Sequence, residues 1–264
     1  MVGLGVALAF SLVALLALQL VDRTMRSRAI AQEQVDARNE ATILATSLNS
    51  ELDKFSVLPL ALAEDPEVRA LTAKLGGRSR SLDRRLEKLA AQSDAAAIYV
   101  MDRSGETLTA SNWKLPTSFV GSNYAFRDYF RLAMRSGSAT QFALGTVSRK
   151  PGLYIASRIG PRAEPSGIVA VKVEFDRTEA NWRRATSGVY ITDATGVVLL
   201  ASEEDWRFHL AGMDNSPVRD AASDRRQFGV SELPPLDLAA KSSGTEVVQV
   251  PLVEARQAIS PAGW

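Results

Sequence analysis

The sequence predicts an α+β fold: a long N-terminal helix followed by two similar modules built on antiparallel strands. Three observations carry the prediction. Apolar residues keep helical spacing through the first part of the chain, the period changes to strand-like alternation beyond Ala95, and one strand–turn–strand pattern occurs twice. Its copies are "AAIYVMDRSGETLTAS" at Ala96 to Ser111 and "GVYITDATGVVLLAS" at Gly188 to Ser202, about 90 residues apart. Each has an apolar strand, a D-x-x-G turn and a second strand, which is the signature of a β-hairpin.

Composition bounds the function. The 264 residues are 46% hydrophobic and 23% charged, and 31 Lys and Arg nearly balance 30 Asp and Glu. A net charge of +1 gives no bulk electrostatic reason to bind nucleic acid. The absence of cysteine excludes disulfides, thiol catalysis and Cys-based zinc sites, and the single histidine, His209, argues against a His-rich metal centre.

The elements follow in order. Val2 to Val21 is a run of 20 residues without a charge, long enough at helical rise to cross a hydrocarbon layer of about 30 Å, so residues 1–21 are expected to form a membrane span. Arg23, Arg26 and Arg28 follow it and nothing basic precedes it, which on the positive-inside rule alone would leave the rest of the chain in the cytoplasm. Ile30, Ala41, Leu44, Leu48, Leu52 and Phe55 then recur at helical spacing, predicting one amphipathic helix over 22–60 that Pro59 bends or ends. Asp65-Pro66-Glu67 reads as the start of a short helix through Leu75, ended by Gly76 and Gly77, and Ser81 reads as the next cap.

Between the two hairpins lie strands at "QFALGTV", "GLYIASRIG" and "GIVAVKVEFD". The last alternates, with Val169, Val171, Val173 and Phe175 on one side and Ala170, Lys172 and Glu174 on the other. By itself that places Lys172 away from the core face, as a solvated lysine. The segment "SNYAFRDYFRLAMRSG" reads as one helix capped by Ser122, with Asn123, Tyr124 and Arg127 on one face and Phe126, Phe130 and Ala133 on another. A guanidinium framed by aromatic rings suits an acidic ligand, because it binds a carboxylate through two parallel hydrogen bonds. Thr146 and Ser148, on one face of "LGTVS", add hydroxyls to such a pocket. "DRTEANWRRATS" from Asp176 has helical character and few core residues, and is expected to link the modules.

The segments "ASNWKLPTSFVGSNYAFRDYF", "ALGTVSRKPGLYIASRI", "VAVKVEFD" and "TDATGVVLLASEEDWRF" resemble, in that order, the periplasmic sensor region of DctB-type histidine kinases, which detect C4-dicarboxylates. The resemblance runs from the membrane span to the end of the chain. It implies a double Cache, or tandem PAS-like, sensor: 1–21 as the transmembrane helix, 22–60 as the signalling and dimer helix, 61–176 as the membrane-distal, ligand-binding Cache module, 177–187 as linker and 188–264 as the membrane-proximal module. It also implies an inner-membrane protein with its sensor region in the periplasm, opposite to the reading from charge alone. In the implied pocket, Arg127 holds one carboxylate and Lys172 the other, Thr146 and Ser148 contribute hydroxyls, and Tyr124 and Tyr154 form walls or further donors. Two cations favour succinate, fumarate or malate over an amino acid, whose ammonium group needs an acidic partner. The other output for such a fold is a chemoreceptor or cyclic-dinucleotide enzyme that senses another small carboxylate or an amino acid.

The resemblance implies a homodimer, a response regulator reached through a kinase domain, and a dicarboxylate transporter as a further partner. ATP and Mg²⁺ belong to that kinase domain, and no cofactor is expected in this chain. "VVQVPLVEARQAISPAGW" reads as strands of the second module stopping at Trp264 short of a further strand, with no kinase motif, so the chain is expected to sense and not to phosphorylate. The enzyme alternatives, Ser148 beside Arg149 and Lys150 or the acidic run Glu203, Glu204 and Asp205, lack an elbow motif or a spaced histidine to activate a nucleophile.

Overall fold

The computed structural model of the chain describes residues 2–73, 78–185, 188–211, 221–230 and 232–237, the side chains of 2–14, 16, 185 and 221 excepted. The predicted strands at "VVQVPLVEARQAISPAGW" and the glycines expected to end the first short helix lie outside these residues. Two compact units divide at α1 (Val2–Ala63), one reaching Leu48 and the other beginning at Asn49. Among the described residues no helix is long and apolar enough to cross a membrane.

Of the two outcomes open at Pro59, a bend or an end, the end does not occur: helix α1 runs through Pro59 to Ala63. Proline removes one helical hydrogen bond, yet Pro59 itself is buried, as are Leu52, Phe55, Leu62 and Ala63, and this packing outweighs the local cost. Helix α2 (Pro66–Ala73) starts as predicted, with Asp65 Oδ1 accepting from the Glu67 and Val68 amides at 2.9 and 3.3 Å. Helix α3 (Arg80–Ser93) is capped by Ser79, not Ser81. Ser79 has the extended backbone a cap requires and accepts from Leu82 N, whereas Ser81 Oγ donates to Glu67.

The strands β1 (Ala97–Asp102), β2 (Thr107–Ala110), β3 (Ser138–Leu144), β4 (Pro151–Ile159) and β5 (Gly167–Val173) form an antiparallel sheet in the order β2-β1-β5-β4-β3. The last strand in sequence thus lies at its centre. One consequence corrects the sequence reading of β5: all seven of its residues are buried, because helices or loops cover both sheet faces. Alternation there separates two cores, and Lys172 is 1% exposed.

The predicted helix from Ser122 is also shorter. Helix α4 is Asp128–Ser136, and Arg127 is its extended N-cap. Residues 122–127 are held instead by the β1–β2 turn: Tyr124 N donates to Gly105 O at 2.8 Å, and Asn123 Nδ2 donates to Ser104 O at 3.0 Å. Gly105 has φ +84°, and a Cβ there would meet Ala125 N at 2.6 Å, so glycine permits both the turn and this close approach. Asn123 is exposed, and Phe126 is 39% exposed instead of packing beside Phe130 and Ala133, because the segment has no helical face to impose that grouping.

After β5 comes α5 (Asp176–Ala185), then β6 (Tyr190–Thr192) paired with β7 (Val198–Ala201), and later α6 (Ala221–Phe228). Helix α5 buries more than a linker was expected to. Trp182 is 5% exposed, and Glu179, 2% exposed, accepts from the Ala201 amide and binds Arg207 through both oxygens at 2.8 and 2.6 Å.

Candidate functional site

The face of the sheet that carries Tyr99, Ala97, Tyr154, Ala156 and Ala170 packs under Tyr129, Phe130 and Ala133 of α4. Lys172 belongs to the same face, since it pairs with Ala97 on one side and Tyr154 on the other. Where this layer meets the β3–β4 turn and the 119–127 segment it leaves a recess of about 210 Å³, open mouth included, lined by Tyr99, Phe119, Tyr124, Arg127, Tyr129, Tyr154 and Gly145, Thr146 and Val147 of the turn. Most of that volume is the open mouth; the enclosed part has room for about one water molecule, so a ligand larger than that needs the surrounding side chains to move apart.

Arg127 is the electrostatic centre of the recess. It is 3% exposed and lies over the Phe126 ring at 5.1 Å. One terminal nitrogen donates to Leu144 O at 2.6 Å and the other to Arg226 O, in the last turn of α6, at 2.7 Å. Both acceptors are neutral, and among the described residues no carboxylate forms an ion pair with this guanidinium. A buried cation is stabilised by a paired anion, so this one is equipped to take an anion from outside.

The tyrosines supply neutral donors. Tyr129 stacks on Tyr154 with centroids 5.0 Å apart and planes 2° from parallel, and its hydroxyl shares a hydrogen bond of 2.8 Å with Tyr99. Burial pushes the pKa values of Tyr99, Tyr129 and Tyr154 far up, which keeps these phenols protonated. Tyr124 is raised less: burial lifts it, and the nearby Ser122 and Thr146 groups and the charge of Arg127 draw it back.

Lys172 is the second cation. Its ammonium donates to Ser148 Oγ at 2.8 Å, to Lys150 O at 3.2 Å and to Glu174, and lies 5.9 Å from the Tyr154 ring centroid. Burial lowers its pKa, and Glu174 partly offsets the fall. Ser148 sits here because residues 145–150 form a turn and not the strand read from "LGTVS": Arg149 N donates to Gly145 O at 3.0 Å, and Gly145 N to Lys150 O at 2.9 Å. A Cβ on Gly145 would meet Ser148 Oγ at 2.3 Å and the Tyr154 hydroxyl at 3.1 Å, so glycine lets the turn fold over the tyrosine.

Of the six predicted residues, Tyr124, Arg127, Thr146 and Tyr154 line the recess, while Ser148 and Lys172 form a separate polar cluster next to Tyr154. Sequence reasoning missed Tyr99, Phe119, Tyr129 and the counter-ion Glu174. Tyr99 stands in the middle of the apolar run "AIYVM", where only its pairing opposite Ala170 reveals the face it shares. A helix starting at Ser122 groups Tyr124 with Arg127 and leaves Tyr129, two residues after Arg127, off that face. The acidic run Glu203 to Asp205 forms part of a short 3₁₀ turn, with Glu204 76% exposed on its side chain, as a solvated loop would be.

No protein-family model matches the chain. Among curated proteins it is 44% identical over 218 residues to the C4-dicarboxylate transport sensor protein DctB of Rhizobium meliloti, covering 80% of this chain and 34% of the relative. To the protein of the same name from Pseudomonas aeruginosa it is 32% identical over 210 residues, 78% of this chain and 34% of the relative. The chain therefore spans about a third of the length of the curated relatives it matches. Among solved structures it superposes on the sensor domain of the V. cholerae histidine kinase DctB with a TM-score of 0.63 and 30% identity over 78% of each chain. Agreement of that extent in both sequence and fold places this chain in the DctB sensor-domain family.

Proposed function

We propose that this chain is the sensing portion of a two-component histidine kinase and binds a C4-dicarboxylate such as succinate, fumarate or malate. The observation that carries the reading is Arg127, a buried guanidinium in a tyrosine-walled recess with only neutral acceptors among the described residues. The names of the relatives support the ligand class. One carboxylate sits on Arg127 with donors from Tyr124, Thr146 and Tyr154, and the other reaches past Tyr154 to Lys172 and Ser148.

In this reading residues 1–21 anchor the chain in the inner membrane, 22–60 form a helix that pairs in a homodimer, and 61–176 are the periplasmic, membrane-distal Cache module. Residues 177–187 connect it to a second, membrane-proximal module over 188–264. Ligand energy shifts the signalling equilibrium through its different affinity for two states of the dimer. The response is read by a kinase domain that uses ATP and Mg²⁺ and by its response regulator, with a dicarboxylate transporter as co-sensor. The sensing portion itself requires no cofactor.

Calorimetric titration of the full chain in detergent micelles with succinate tests the site. Arg127→Ala is expected to weaken binding by about 100-fold or more and Lys172→Ala by about tenfold, on the scale of one to two charge-assisted hydrogen bonds. Unchanged binding in both variants would remove the assignment.

A further inference from the structure

The two cations of the proposed site are unequally available. A guanidinium has five N–H donors, and Arg127 commits two of its terminal ones to the Leu144 and Arg226 carbonyls. An ammonium has three, and Lys172 commits all of them, to Ser148, the Lys150 carbonyl and Glu174. A carboxylate arriving at Lys172 must therefore replace an existing acceptor. Ser148 and the Lys150 carbonyl are neutral, whereas Glu174 supplies the charge that a buried ammonium needs. Exchange of Glu174 for another carboxylate is the substitution that leaves the balance at Lys172 unchanged. Burial drags the Lys172 pKa down and Glu174 opposes it, which is the same requirement expressed as titration.

Glu174 also has a second partner within reach. Its Oε2 lies 3.6 Å from Lys150 Nζ, and its side chain is 20% exposed against 54% for Lys150 and 1% for Lys172. A move toward Lys150 takes the carboxylate outward into water, so it carries little desolvation cost. Lys150 in turn holds Asp176, the first residue of α5, at 2.6 Å.

We propose that Glu174 is an internal competitor for the second carboxylate of the ligand: a diacid held by Arg127 engages Lys172 by displacing Glu174 onto Lys150. This rests on the dicarboxylate reading above and names the residue that sets its affinity and selectivity. A monocarboxylate on Arg127 leaves the Lys172–Glu174 pair closed, while a dicarboxylate opens it. Glu174 therefore restrains diacid affinity and couples binding to a shift of charge at the start of α5.

The test is calorimetry on the full chain in detergent micelles, with succinate and with butyrate, a monocarboxylate of equal chain length. Glu174→Gln is expected to tighten succinate about tenfold and to change butyrate by less than about twofold. Lys150→Met removes the alternative partner but keeps the backbone carbonyl, and is expected to weaken succinate about threefold. Wild-type chain that binds succinate, with a Glu174→Gln variant that binds it equally or more weakly, overturns the proposal. So does wild-type binding of alanine that Glu174→Gln abolishes, since Glu174 would then be an ammonium acceptor. No succinate binding by the wild-type chain removes the functional reading and this proposal together, which separates the two failures. If Glu174→Gln lowers the melting temperature so far that it does not fold, Lys150→Met decides, and unchanged or tighter succinate binding overturns the proposal.

Discussion

The hairpins β1–β2 and β6–β7 reverse on the same chemistry, yet the regions around them treat a buried arginine in opposite ways. In the first, Asp102 Oδ1 accepts from Ser104 N at 2.8 Å, Ser104 Oγ at 2.7 Å and Glu106 N at 3.0 Å. In the second, Asp193 Oδ1 accepts from Thr195 N, Thr195 Oγ1 and Val197 N at 2.8, 2.7 and 3.0 Å. The glycines that follow, Gly105 and Gly196, share φ +84°. Beyond the turns the likeness ends. Near the second hairpin Arg207 is neutralised by both oxygens of Glu179, which ties α5 to β7; beside the first, Arg127 faces two carbonyls and a recess. On the proposed reading one arginine is a structural clamp and the other a binding group, and what distinguishes them is the partner, since both are largely buried.

The sharpest way to break this contrast is to remove each arginine. Arg207→Ala leaves Glu179 buried without its cation and is expected to cost about 3 kcal/mol in urea unfolding. Arg127→Ala frees the Leu144 and Arg226 carbonyls but also removes a buried charge that has no carboxylate partner among the described residues, so it is expected to cost about 1–2 kcal/mol, less than Arg207→Ala, while succinate binding weakens about 100-fold or more. Equal destabilisation by the two would erase the distinction.

A smaller effect separates the two turns. Asp102→Ala and Asp193→Ala are each expected to cost about 1 kcal/mol for the turn hydrogen bonds. Only Asp102→Ala should also weaken succinate, about threefold, because Gly105 O holds the Tyr124 amide beside Arg127. Equal succinate affinity in both variants would show that the first turn does not position the site.

The mildest test is alkaline pH. Burial lowers the folded-state pKa of Lys172 below 10.5, so between that lowered value and 10.5 the unfolded chain binds more protons than the folded one. Stability from this group consequently rises with pH across that window. Diacid affinity moves the other way, falling as Lys172 loses its proton, by at most about tenfold per pH unit. Calorimetry should show succinate weakening toward alkaline pH while butyrate stays level. Parallel loss of both would place the titrating group somewhere other than Lys172.

Much of the local structure was legible in the sequence because its causes are local. The D-x-x-G turns specify their own hydrogen bonds within five residues, and Asp65-Pro66 specifies a helix start in the same way. Arg127 stood out as a cation among aromatic residues, although its position was read as part of a helix and is in fact the N-cap before one. Lys172 was legible as a residue in a strand but not as a buried one. Alternation marks two faces without saying that both are covered, and that depends on β5 being inserted between β1 and β4.

By itself, then, the sequence determined the α+β class, the positions of the two hairpins and the identities of the two cations, each of which depends on residues close together in the chain. Only the tertiary structure decided which groups face those cations. The α6 carbonyl on Arg127, Tyr99 and Tyr129 in the recess and the saturation of Lys172 by three acceptors arise from segments brought together by strand order and packing. Whether a buried charge is a clamp or a binding group depends on its partner in space, and spacing along one segment carries no record of that partner.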